Sequence, residues 1–592
     1  MADSILFSAG GDAAQDAGSW RQSSIRFLSD GLMAEFGQLL VDRSLVTPEQ
    51  IEEFNSRRRI NGRPLDAMLR EERLVEDSDI AQALSELAGI PLQHIADLKT
   101  SPELAARVPS RTALKYRILP VSEENGTLTL ATCTVPTVQT SDGLRMLLDA
   151  SIDWVLCTED ELVHSLTHFY GLGAEAIDEV LAEADGQEDE DKATDVATQT
   201  AETGMIKFVN LIIAEAIRMD ATDIHIEPFE GILRLRYRID GLLQEIPLPK
   251  GIEKVRRAVA STVKVMANMD IAERRIPQDG RIRVRCNAHD YDLRVSVLPT
   301  NYGETVNLRI LNRASTTTDL EKLGLTEHLM PKIRSLTEVP HGVVLLTGPT
   351  GSGKTTTLYA LLQRVSTIDT KIITVEDPIE YQMNGINQVQ VHAKIGLTFA
   401  SVLRSILRHD PDVILIGEIR DSETADIAVR SSLTGHLVFS TLHTNDAPSS
   451  ITRLADMGVE PYLISSCLEG VIAQRLVRRV CPSCKQPVTL DQKVFDEIQR
   501  LYPDKMAGAT FYEGKGCPVC NYTTYRGRCA ISEVMMMSDA IRAQVVERQP
   551  ANVIKETAIR EGMYTLRQDG WMRVLQGRTT VDEVYRVAGK ME

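Results

Sequence analysis

The sequence predicts a multidomain α/β protein built round a P-loop domain, with a four-cysteine metal module downstream of it. Three observations carry this. Gly348-Pro349-Thr350-Gly351-Ser352-Gly353-Lys354-Thr355 fits the phosphate-binding pattern GxxxxGK[ST] without departure. Residues 315–475 alternate apolar strands with helical stretches, the pattern of a largely parallel sheet. Cys481, Cys484, Cys517 and Cys520 form two CxxC pairs.

A length of 592 residues predicts about four domains. A hydrophobic content of 43% excludes wholesale disorder. The net charge of −18 argues against non-specific nucleic-acid binding, which needs a surplus of Lys and Arg. No apolar run is long enough for a transmembrane helix, and the N-terminus lacks the blocks of a signal peptide. A cytoplasmic protein is expected, its cysteines serving metal or packing more than disulfides.

In chain order, 1–31 reads as a flexible N-terminus. Residues 32–172 form an N-terminal domain: helical hairpins first, then a small α/β part with strands near Thr127 and Trp154. Thr47-Pro48-Glu49 marks a helix start: N-cap, Pro at N1 and an acid in the first turn. Residues 173–203 read as an acidic linker, because 175–202 hold eleven acids and one base, Lys192. Residues 204–312 form a second N-terminal domain, 313–475 the P-loop domain, 476–535 the cysteine module and 536–592 a helical tail.

The P-loop follows the apolar run Val343 to Leu346 and precedes a helix from Thr356. Its glycines turn backbone N–H groups toward a phosphate, and the helix N-terminus adds positive potential. Gly348 to Thr356 should therefore cradle the phosphates of a nucleotide. Lys354 reaches the outer phosphates and the Thr355 hydroxyl binds Mg²⁺. A second strand, Val413 to Ile416, leads to Gly417-Glu418. A third, Ile372 to Val375, leads to Glu376. Either glutamate could orient the attacking water; Glu418 is favoured as base, with Glu376 as its partner.

Four cysteines at this spacing can close a tetrahedral Zn²⁺ site, with a redox CxxC as the rival reading. A closed four-thiolate site leaves no place for a catalytic water, so this zinc would be structural. Cys467 and Cys529 read as packed thiols.

Taken together, the P-loop, Val375-Glu376-Asp377-Pro378-Ile379-Glu380, Gly417-Glu418-Ile419-Arg420-Asp421 and the segment from Thr434-Gly435-His436 to His443-Thr444-Asn445 resemble four ordered motifs. They are the Walker A, Asp box, Walker B and His box of the secretion ATPases of type II secretion and type IV pili. Glycine at position 417, in place of the generic Walker B Asp, is usual in that family. The resemblance spans 204–592 and implies a RecA-like motor domain, a PAS-like second N-terminal domain and a homohexamer. It also implies arginines that face the nucleotide, with Arg294 and Arg309 the first candidates and Arg238 and Arg281 behind them. His443 and His436 acquire a nucleotide-sensing role, and His225 is a further candidate.

The implied activity is Mg²⁺-dependent ATP hydrolysis that powers pilus or pseudopilus assembly and protein secretion. The implied setting is peripheral at the inner membrane, against a platform protein and a membrane-anchored cytoplasmic domain. Pilus retraction and DNA transport are the alternatives within the superfamily; no nucleic-acid partner is expected. The hairpins resemble the family's N-terminal domain, which in some members binds cyclic di-GMP. Here Glu35 and Pro64 stand for its arginines, Asp66, Ser44 and Arg73 for glycines (Gly37 is kept), and Arg58 and Leu87 for glutamines. Partner docking is expected there in place of cyclic di-GMP.

Overall fold

The computed structural model describes residues 30–61, 65–72, 74–95, 98, 100–185, 195–286, 289–312 and 319–589. Residues 1–29 of the expected flexible N-terminus, Pro64, Arg73 and the middle of the acidic stretch lie outside the described residues. The chain divides into two compact units, Met1–Asn312 and Arg313–Glu592.

The first unit opens with helices Asp30–Asp42, Pro48–Asn61, Leu65–Glu71 and Asp77–Ala88. Their apolar stripes bury Phe36, Leu40, Phe54, Leu69 and Ile80 in one core. At the Pro48 helix the Gln50 N–H donates to Thr47 Oγ1, while the Thr47 N–H donates back to Gln50 Oε1. That is a reciprocal capping box, and it explains why the helix starts there. A three-stranded sheet follows, of β1 (Ile118–Glu124), β2 (Thr127–Thr132) and β3 (Ser151–Leu156). Arg70 ties the hairpins to this sheet. Its guanidinium is almost fully buried and donates to Asp77 at 2.7 Å, Asp66 at 3.2 Å and the Cys133 carbonyl at 3.1 Å.

The acidic linker differs from expectation. Ala174–Asp185 is a helix that buries Ile177 and Val180 against Met205 and Phe208 of the long helix Asp195–Arg218. Ala174, Ile177, Val180 and Leu181 make an apolar stripe at helical spacing. The high average charge of the segment hides it.

Six antiparallel strands complete this unit: β4 (Ala221–Pro228), β5 (Leu233–Ile239), β6 (Leu242–Ile246), β7 (Gln278–Cys286), β8 (His289–Thr300) and β9 (Gly303–Asn312). Their order is β6-β5-β4-β9-β8-β7. Alternation sends Ile224, Leu235, Tyr237, Leu293 and Leu308 into a core shared with helices Asp195–Arg218 and Ile252–Met266. The opposite face carries the polar residues. Register aligns Arg238, Asp223, Arg309, Arg294 and Arg281 in one row across five strands.

The second unit is a seven-stranded sheet. Its strands are β10 (Gly342–Thr347), β11 (Ile372–Glu376), β12 (Asn387–Gln390), β13 (Val413–Ile416), β14 (Leu437–Leu442), β15 (Leu468–Val480) and β18 (Tyr525–Met536). The order is β12-β11-β13-β14-β10-β15-β18, parallel except for β18. β10, β11, β13 and β14 are buried along their whole length, as largely apolar parallel strands with both faces covered should be.

The domain borders at 475 and 535 cut through this sheet. β15 runs on to Val480 and pairs with β18 from Gly470–Met536 to Val480–Tyr525. The cysteine module, with the small hairpin of β16 (Lys485–Val488) and β17 (Phe511–Gly514), is therefore inserted between two paired strands. Helices Asp539–Val546, Ala551–Arg560, Leu566–Leu575 and Val581–Ala588 follow. The third of them buries Trp571 and Arg573 completely. Among the described residues, no helix is long and apolar enough to cross a membrane.

Candidate active site and metal centre

Gly348 to Gly353 leave the C-terminal end of β10 and turn into the helix Lys354–Val365. Gly348, Gly351 and Gly353 all have positive φ, at 153°, 78° and 86°. A Cβ on Gly348 would lie 2.5 Å from the Gln474 carbonyl oxygen, and one on Gly353 would lie 2.8 Å from Gln474 Nε2. Gly351 faces open space, the side from which a phosphate can approach. Lys354 Nζ donates to the Gly348 and Pro349 carbonyls at 2.6 and 3.0 Å. Burial first, and then repulsion from Arg475, lower its pKa to about 8, against a smaller opposing effect of Glu418. Thr355 stands half-buried in the first helical turn and Thr356 is exposed.

Glu418 follows β13. Its carboxylate is ion-paired with Arg420 and lies 3.5 Å from His443 Nε2. The loop holding it is fixed to β14: the Thr441 hydroxyl donates to the Gly417 carbonyl at 2.7 Å, and the Ile419 N–H donates to the Thr441 carbonyl at 3.0 Å. Glycine at 417 has a local reason, since a Cβ there would sit 3.3 Å from both Glu376 Cα and the Val375 carbonyl oxygen.

Glu376 is in a different state. It is buried, and both oxygens are engaged. Tyr359 OH donates to one; Thr374 Oγ1 at 2.6 Å and Gln388 Nε2 at 3.2 Å donate to the other. A carboxylate satisfied by three donors anchors a strand end, whereas Glu418 keeps a partly accessible face.

His443 and His436 lie at opposite ends of β14. His443 is beside Glu418 and the P-loop lysine. Burial, then the Lys354 charge, lower its pKa, while Glu418 opposes them. His436 Nδ1 is 2.8 Å from the Ser431 carbonyl oxygen and 3.1 Å from Thr434 Oγ1. Six strand residues separate the two, about 20 Å at the usual rise. Within one chain, His436 is therefore not brought to Lys354 and Glu418; its ring completes a local turn.

Sequence reasoning missed Gln474 and Arg475 on β15. Gln474 is 2% exposed, donates to the Ser352 carbonyl at 2.9 Å and accepts from Thr357 Oγ1 at 2.9 Å, clamping the loop to its helix. Arg475 donates to the Asn445 carbonyl at 2.7 Å, joining the loop after His443 to β15. The only signal was a pair of polar residues directly after the apolar run Val471 to Ala473.

Arg309 and Arg294 belong to the first unit. Arg309 Nε donates to Asp223 Oδ1 at 3.0 Å, and Arg238 lies 3.8 Å from the same carboxylate. Arg294 pairs in register with both Arg309 and Arg281. His225 faces Arg236 and Asn307 across its neighbouring strands.

The four cysteines converge. Cys481 to Cys517, Cys484 to Cys520 and Cys517 to Cys520 are 3.8, 3.9 and 3.7 Å between sulfurs, and all four lie within 4.8 Å of one another. A tetrahedron with Zn–S bonds of about 2.3 Å has edges of about 3.8 Å, so the donor set fits zinc. The Gly516 N–H donates to Cys484 Sγ and the Cys517 N–H to Cys520 Sγ, both at 3.3 Å, bonds that would stabilise thiolates. Cys467 and Cys529 are buried elsewhere, and burial raises both thiols, Cys467 to about 11.

A glycine loop at the end of a parallel strand, a lysine at the head of its helix and a strand-end glutamate two strands away define a P-loop nucleotide-binding protein. Comparison with known proteins narrows this. Residues 198–586 match the family model described as Type II/IV secretion system protein, and 88–176 match the MshEN domain. The chain belongs to the type II/IV secretion system protein family. It is 39% identical over 560 residues to the type IV pilus assembly ATPase PilB of Myxococcus xanthus, covering 93% of this chain and 98% of that one. It is 42% identical over 564 residues to the type II secretion system protein E of Xanthomonas campestris pv. campestris, covering 93% and 96%. The crystal structure of the pilus retraction motor PilT with bound ADP aligns at 27% identity and a TM-score of 0.44, over 64% of this chain and 96% of that one.

Proposed function

We propose that this chain hydrolyses ATP to drive assembly of a pilus or pseudopilus, and with it protein secretion, from the cytoplasmic side of an inner membrane. The observation that carries the proposal is the convergence of Lys354, Glu418 and His443 at one end of the sheet. Backbone N–H groups of Gly348 to Gly353 hold the phosphates, and Lys354 moves from the loop carbonyls to the outer phosphate oxygens. Glu418 takes the proton of the attacking water, with His443 orienting its carboxylate. Glu376 fixes the strand end on which this depends. Mg²⁺, held through Thr355, would neutralise phosphate charge.

The family supports the finer assignments. These are a RecA-like P-loop domain, a PAS-like six-stranded domain whose Arg294 and Arg309 complete a neighbour's nucleotide site in a homohexamer, and a structural zinc on the four cysteines. For 32–172 we propose docking to a membrane-anchored partner. Asp66, at a position that would be glycine in a cyclic di-GMP motif, is committed to Arg70. Binding of cyclic di-GMP by the purified chain would overturn that part. The whole reading is tested by Lys354→Ala: loss of ATP turnover together with loss of secretion or piliation supports it, and intact transport contradicts it.

A further inference from the structure

One concavity in the first unit lies outside everything assigned so far. Helix Ile252–Met266, the segment 268–277 and the turn from β8 to β9 border a half-open cavity of about 420 Å³, with Arg257 and Arg274 on its exposed side. Arg256, Arg257 and Arg274 line it, with Pro228, Pro299 and Tyr302 as apolar walls.

The state of these arginines sets the cavity apart. Several on the polar face of the neighbouring sheet have acids: Arg236 with Glu227 at 2.8 Å, Arg309 with Asp223 at 3.0 Å. Arg275 pairs with Glu273 at 2.6 Å. Arg256, Arg257 and Arg274 have no carboxylate partner among the described residues, in a chain that carries 83 acids. The hydrogen bonds of Arg256 and Arg274 are long ones, 3.5 Å, to the Phe229 and Ile271 carbonyls.

Glu304 is the one carboxylate in the lining, and its charge is already matched by an ion pair to Lys264, whose side chain is fully buried. The same ammonium donates to the Glu273 carbonyl at 2.8 Å. Gln278 donates to the Asp270 and Glu273 carbonyls at 2.9 and 2.8 Å and accepts from the Asp270 N–H at 2.9 Å. The wall that presents Arg274 is thus held before any ligand arrives, and a preorganised wall loses little freedom on binding.

We propose that this cavity binds a phosphate-ester anion carrying at least two negative charges. Guanidinium groups match phosphate oxygens in planar, bidentate geometry. Three of them round one paired carboxylate leave a surplus of positive charge that a single carboxylate would not neutralise. The size suits a small organic phosphate, and Tyr302 with the two prolines offers contact to its apolar part. A soluble phosphate ester and a phospholipid head group share this chemistry.

The test uses the full chain carrying Lys354→Ala, which weakens phosphate binding at the P-loop. Inorganic tripolyphosphate is titrated calorimetrically into this protein and into the same protein with Arg257→Gln and Arg274→Gln added. Vesicles of phosphatidylcholine, with and without phosphatidylglycerol, are sedimented with both. Binding of tripolyphosphate that weakens about tenfold per guanidinium removed supports a soluble ligand. Sedimentation that needs both phosphatidylglycerol and the two arginines supports a head group. Arg275→Gln, whose guanidinium is held by Glu273, should change neither. Binding that is absent, or indifferent to Arg257 and Arg274, overturns the proposal. So does a change of oligomeric mass in the arginine variants without a change in binding, which would assign the groove to a subunit contact. Thermal melting of each variant checks that it is folded.

Discussion

His443 Nε2 lies 3.5 Å from Glu418 Oε2, across the ends of the adjacent parallel strands β14 and β13. The pair forms because Glu418 leaves the sheet where β13 stops and His443 leaves it one strand nearer the P-loop. Burial and the Lys354 charge hold the imidazole toward its neutral form. It can then donate to the glutamate without competing with Lys354 for phosphate. His443→Asn should lower kcat about tenfold and leave KM for ATP within about twofold, the pattern of a lost orienting contact. Steady-state turnover against ATP concentration separates the two parameters.

Lys354 makes nucleotide affinity depend on pH. Its pKa is lowered to about 8, so the free protein loses that proton well before an ordinary lysine would. The charged form binds the triphosphate, so affinity should fall as pH rises through about 8. Arg475→Gln removes a repelling charge and should move the fall to higher pH. Nucleotide affinity measured across the pH range, in both proteins, checks the direction.

The cysteine site gives a prediction independent of turnover. Purified protein should carry about one zinc per chain, as a closed four-thiolate site requires, and Cys484→Ser should lose it. Metal analysis decides this; zinc-free wild-type protein would refute the site.

What could be read in the sequence was what is local in the chain. Val413 to Ile416 appears as a strand because four apolar residues in a row announce a buried one. The P-loop glycines and the CxxC pairs announce themselves by spacing. Gln474 and Arg475 did not, because they reach the loop only through the pairing of β10 with β15, more than a hundred residues later. The same long-range pairing moved the module border: Val480 and Tyr525 are sheet partners, though 44 residues separate them. Ile177 and Val180 were hidden by the acids around them. Glu418 and Glu376 looked alike as strand-end glutamates, and only their hydrogen bonds tell them apart.

The division of labour between those glutamates is the centre of the account, and ATP turnover of purified Glu418→Gln tests it most directly. Loss of a general base should lower kcat by about 10²–10⁴-fold, with ATP still bound and the melting temperature unchanged. A variant that turns over ATP at the wild-type rate would contradict the assignment.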